Sequence, residues 1–145
     1  APAWAIAGST FFQGIGQMEQ EQAEKFCRQQ ARKCFESAIS LAPQKADYRI
    51  NLALTYVAAP PEENPMKGVL MLRDLSETYP DNPAVLFQLG RLAVQTGQWE
   101  KARERLEQTV ALDERFTRAW CLLADVYSQS GEPDQADQAL AKCRE

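Results

Sequence analysis

Apolar and small residues recur along this chain in steps of three and four, and from Pro83 to Gly131 they do so to a pattern written twice. The first copy places Leu86, Leu89-Gly90, Ala93, Gly97, Trp99, Ala102, Leu106 and Thr109. The second places Trp120, Leu123-Ala124, Tyr127, Gly131, Pro133, Ala136, Leu140 and Cys143, each 34 residues after its counterpart. Steps of three and four put these side chains on one stripe of a helix, and the glycine divides one helix from the next. A 34-residue period holding two such helices points to stacked helix pairs.

The same spacing extends toward the beginning of the chain. Trp4, Ala7-Gly8 and Phe11 repeat the first-helix signature of Trp120, Leu123-Ala124 and Tyr127. Gly14 and Gly16 then end that helix. The matching second-helix signature, Ala31, Phe35 and Ala38, arrives 11 residues later than in the unmodified repeat. Eleven residues are almost three helical turns, so the phase survives. One long helix is therefore predicted from about Glu19 to Leu41, with Phe26, Cys27, Ala31, Cys34, Phe35 and Ala38 on its buried stripe. Its polar opening, Gln17 to Gln22, is expected in solvent, either as a plain overhang or as a docking arm.

A second pair starts near Ala46, with Leu52-Ala53 and Tyr56 in register and Arg49 in the slot that holds tryptophan elsewhere. Pro60, Pro61 and Pro65 lengthen its turn, and Pro65 fits the first turn of the next helix, where a missing N–H costs little. Helix signals resume at Gly68, Leu72 and Leu75. Asp81-Asn82-Pro83 then supplies a capping side chain followed by proline, a strong helix start. The reading is four pairs, at about 1–45, 46–82, 83–116 and 117–145, in a single domain.

The spacing W-x2-L-G-x2-Y-x8-A-x3-F-x2-A resembles the tetratricopeptide repeat, over essentially the whole chain. The resemblance implies an all-α fold, an α-solenoid of stacked antiparallel helix pairs wound as a right-handed superhelix, with about eight helices and a long second one. Small residues at Gly8, Ala53, Gly90 and Ala124, facing Ala31, Gly68, Ala102 and Ala136, are expected where paired helices approach closely. Larger groups such as Phe11, Phe35, Tyr56, Leu72, Leu106, Tyr127 and Leu140 would fill the core.

Composition narrows the function. A net charge of −4 argues against nucleic acid as a partner. No apolar run approaches the roughly 18 residues needed to span a bilayer. Ala1–Ile6 is short for a secretory leader and lacks a basic start. Without an initial Met the chain reads as a processed form or part of a longer one, so the compartment, cytoplasmic or periplasmic, stays open. The chain has no histidine, which removes Ser-His-Asp and Cys-His catalysis and most zinc sites. Gly14-Ile15-Gly16 is too short for a phosphate loop. No catalytic residue, metal or cofactor is expected. Cys27, Cys34, Cys121 and Cys143 form no C-x-x-C pair and read as small packing residues.

In the tetratricopeptide family the first helices of successive pairs line a concave groove that holds a peptide or helix of a partner protein. Carried over by position, that face here comprises Phe12, Ile50, Leu54, Val57, Phe87, Arg91, Val94, Arg118 and Asp125. The places that hold lysine and asparagine in relatives clamping acidic chaperone tails carry Ala5 and Ser9, which disfavours that specialised role. The expectation is a non-catalytic interaction module with an apolar groove. The alternative is self-assembly, as in a homodimer, through the long first hairpin or through an uncapped end exposing some of Leu122, Val126 and Leu140.

Overall fold

Eight α-helices follow one another in the computed structural model, which describes residues 1–14 and 21–145. They are α1 (Pro2–Gly14), α2 (Glu21–Leu41), α3 (Ala46–Ala58), α4 (Lys67–Thr78), α5 (Pro83–Gln95), α6 (Trp99–Leu112), α7 (Thr117–Gln129) and α8 (Pro133–Arg144). Helices α5 and α7, and likewise α6 and α8, begin 34 residues apart, so the sequence period is also the structural one. The helices gather into two compact units, Ala1–Leu75 and Ser76–Glu145.

In the first unit α2 packs on α1 and on α3, and α1 touches α3. Ala31, Phe35, Leu52 and Tyr56 form the buried centre, with Phe11, Phe12, Ile39 and Met71 packed around it. The stripe of α2 runs Cys27, Ala31, Cys34, Phe35 and Ala38, all buried. Phe26 departs from the expected stripe and is 55% exposed. It lies about 100° around the helix from Cys27, on the side away from Phe35. Its ring instead meets Phe11 edge-on, with centroids 6.1 Å apart. Glu21 and Gln22 are exposed as expected, whereas Glu19 and the rest of the polar opening lie outside the described residues, as does Gly16. Pro65 is also placed differently from expectation. Helix α4 starts at Lys67, and Leu70 N–H already bonds to Met66 C=O, so Pro65 belongs to the preceding turn.

In the second unit α5–α6, α6–α7 and α7–α8 pack as successive antiparallel neighbours, and α5 also touches α7. Phe87, Ala102, Leu106, Ala119, Leu123, Val126 and Ala139 are among its core residues. Burying a side chain such as Leu106 or Leu123 contributes roughly 1.5–3 kcal/mol. Asn82 caps α5 through its Oδ1, which accepts from Ala84 N–H at 3.0 Å and Val85 N–H at 3.2 Å, and Pro83 follows at the first helical position.

The turns after α5 and α7 are built alike. Gln98 N–H bonds to Ala93 C=O and Gly97 N–H to Val94 C=O; Glu132 and Gly131 repeat both bonds to Tyr127 and Ser128. This doubled closure, with a left-handed residue just past the helix, satisfies carbonyls the helix leaves open. Gly97 (φ 68°) and Gly131 (φ 75°) supply that residue, where a Cβ would be strained. Of the three residues named for an uncapped end, Leu140 is 37% exposed on α8, although its repeat position also suggested the core, while Leu122 is partly buried against the core and Val126 is fully buried.

Candidate functional site

The nine residues carried over to a partner-binding face divide between the units, and the structure treats them unequally. In the first unit Ile50 is only 4% exposed and belongs to the packed interior of α3. Phe12 is partly buried against the Phe35–Tyr56 centre. Leu54 and Val57 are half-buried on α3, and the Val57 side chain stands directly over Gly68 of α4. Beside them two cations lie over the Tyr56 ring, with Arg32 at 4.4 Å and Lys67 at 4.1 Å from its centroid. Lys67 Nζ also donates to the Tyr56 hydroxyl at 3.1 Å.

In the second unit Phe87, expected in the groove, is 1% exposed and is a core residue. Phe116 lies 4.9 Å from it, centroid to centroid, and the Arg118 guanidinium sits 5.1 Å above its ring. Val94 also packs against the core, leaving Arg91 half-buried and Arg118 and Asp125 exposed. The reason is geometric: a position on the inner side of a first helix can face either open space or the next helix. At Ile50 and Phe87 it faces packed neighbours. With Phe87 and Val94 packed inward, Arg91, Arg118 and Asp125, the polar end of the expected groove, are what α5 and α7 leave half-buried or exposed.

Away from that face, charge is neutralised within the fold. Arg103 donates to Glu107 at 2.9 Å and to Glu132 at 2.5 Å, tying α6 to the start of α8. The Tyr127 hydroxyl donates to the same Glu107 at 2.8 Å. Burial, reinforced by that hydrogen bond, pushes the Tyr127 phenol up to about 12. A shallow depression of about 570 Å³ at Leu112–Arg115, Thr117, Lys142 and Glu145 is likewise internally paired, since Lys142 bridges Glu114 and Glu145.

Cys121 and Cys143 form a disulfide between α7 and α8, with Cα atoms 4.8 Å apart. This overturns their reading as packing residues. The signal was present in the hairpin itself: Cys121 lies ten residues before Gly131 and Cys143 twelve after it, so antiparallel helices bring them opposite one another. Cys27 and Cys34 are both buried on the inner stripe of α2, as a packing role requires.

Helices in antiparallel pairs, repeated at 34 residues and closed by the same glycine turn, define a helical-repeat scaffold. Two sequence models, both described as tetratricopeptide repeat, match residues 68–120 and 117–143, together just over half of the chain. The chain belongs to the tetratricopeptide-repeat family, an all-α solenoid class of typically non-catalytic scaffolds that bind protein partners.

Solved structures agree on the fold. MamA is similar at TM-score 0.64 and 20% identity, over 82% of this chain and 68% of its own. TTC0263, a thermophilic tetratricopeptide protein of Thermus thermophilus, is similar at 0.64 and 20%, over 97% and 81%. PilF of Pseudomonas aeruginosa is similar at 0.66 and 22%, over 97% of this chain and 61% of its own. No curated protein matches the chain significantly in sequence. Among the described residues no helix is long and apolar enough to cross a membrane.

Proposed function

We propose that this chain is a non-catalytic scaffold that binds a peptide or helix of a partner protein on the inner faces of its first helices, α1 with α3 and α5 with α7. The observation that carries the reading is the contact of α5 with α7, which sets Arg91, Arg118 and Asp125 on one pair of adjoining helices with Val94 at their base. Half-buried Leu54 and Val57 offer the corresponding apolar contacts on α3.

Random peptides displayed on phage and selected on the folded chain test this. Retained peptides should lose binding to Leu54→Asp or Arg118→Glu while keeping it for Lys101→Glu on α6. Peptides indifferent to both inner-face changes would sink the assignment.

A second reading, self-association through the first hairpin, is favoured by one observation. Trp4 and Ile6 of α1 are 47% and 68% exposed, and α1 carries no charged residue. Sedimentation equilibrium should then give a mass that rises with concentration and returns to the monomer value in Ile6→Glu.

A further inference from the structure

We infer that the α5–α7 face holds a carboxylate of the partner peptide, an aspartate or glutamate side chain set between Arg91 and Arg118. The inference rests on the proposed inner-face binding and names the chemistry it selects.

Among the described residues neither arginine is in an ion pair. Ion pairs of the second unit's described residues join Arg103 to Glu107 and Glu132, and Lys142 to Glu114 and Glu145; none reaches Arg91 or Arg118. Helix α5 contains no acidic residue, and Arg91 is its one charged side chain. Helix α7 has a single acid, Asp125, seven residues beyond Arg118 and so about 10 Å along the axis. In a chain of net charge −4, this face has two cations to one anion.

Its hydrogen bonding is incomplete as well. Arg91 Nε is buried with no acceptor, and Gln88 Oε1, one turn earlier on the same side of α5, is buried with no donor. An unmade hydrogen bond at a buried polar group is costly, so these two side chains gain if a ligand lets them turn and find partners. Burial, and then the nearby charge of Arg118, hold the Arg91 guanidinium below its ordinary range. Arg118 lies over Phe87, which is one turn before Arg91 on the same side of α5, so an anion between the two cations would be stabilised by both.

Arginine suits that anion because its planar fork grips both carboxylate oxygens. Stacking on Phe87 fixes the orientation of Arg118. A peptide carboxylate can reach the two guanidiniums, since Arg118 is exposed and Arg91 half-buried.

The test uses the phage-selected peptides as synthetic ligands of the full chain. Each is made with its acidic residues intact, with Asp and Glu changed to Asn and Gln, and with the C-terminus free or amidated. Removing the side-chain acids should weaken binding to the wild-type chain about tenfold or more. The same removal should change binding to Arg118→Gln by less than about twofold, because a charge-assisted bond is then already lost. Arg118 is exposed, so this variant keeps its fold, checked by circular dichroism. Arg91→Lys, which retains the charge, should fall between the two. Acidic and amide peptides binding alike overturn the inference while leaving inner-face binding intact. Loss on C-terminal amidation alone would also overturn it, assigning the arginines to a chain terminus. Peptides that ignore the α5–α7 face altogether overturn both readings.

Discussion

Gly68 presses against the backbone of Ala53: a Cβ built on Gly68 would lie 2.7 Å from the Ala53 carbonyl oxygen and 2.6 Å from Val57 N. Backbone atoms of a packed helix cannot step aside as a side-chain tip can. Helix α4 therefore rests on α3 only because residue 68 has no side chain. Gly68→Ala should destabilise the first unit by roughly 1–3 kcal/mol, despite alanine's better helix propensity. Urea denaturation measures this, and a stability equal to the parent chain would show that α3 and α4 tolerate a wider spacing.

The two turn glycines fail for a different reason. Nothing lies within 4 Å of a Cβ placed on Gly97 or Gly131, yet both have positive φ. Gly97→Ala or Gly131→Ala should each cost about 1–2 kcal/mol from backbone strain alone. Gly97→Asn should cost less, since asparagine tolerates that conformation. Equal losses for alanine and asparagine would point to a cause other than backbone handedness.

The Cys121–Cys143 bridge closes a loop of sequence separation 22. A loop of that size corresponds to about 3 kcal/mol of stabilisation in the chain-entropy picture. Cys121→Ser, Cys143→Ser and the double change should each lose this amount once, without adding. Reductant should bring the parent chain down to the level of the variants and leave the variants unmoved. Denaturation curves with and without reductant decide it.

Alkaline pH should act on the second unit through Tyr127. Its folded-state phenol is raised to about 12 by burial and by the bond it donates to Glu107. The unfolded value is near 10. A raised folded value favours the protonated form, so this contribution is intact below about pH 10 and is lost as pH climbs toward 12. Tyr127→Phe should flatten that part of the stability–pH profile and delete one late step from the ultraviolet tyrosinate titration.

Much of this architecture is legible before any coordinates. Helix starts at Ala46, Pro83, Thr117 and Pro133 coincide with expectation because proline and Asn82 act locally. The facing small residues, Ala31, Ala53, Ala102 and Ala136 among them, are buried as the repeat requires. Local signals are weaker where the outcome depends on a neighbour. Phe26 looks as apolar as Cys27 in sequence, but only the packing of α1 decides which of the two is covered. Ile50 and Phe87 occupy groove positions by register, yet register does not say whether a neighbour seals them. The bridge between Cys121 and Cys143 needed the hairpin folded in two dimensions, a step that one-dimensional spacing omits.

That bridge also changes what the tip of the last hairpin has to do. Ser128, Gln129, Ser130 and Gly131 are exposed there, the kind of segment proteases reach first. A cut at this tip would leave α8 covalently held to α7 through sulfur. The nicked chain should migrate as one band until it is reduced, and only then release the α8 fragment.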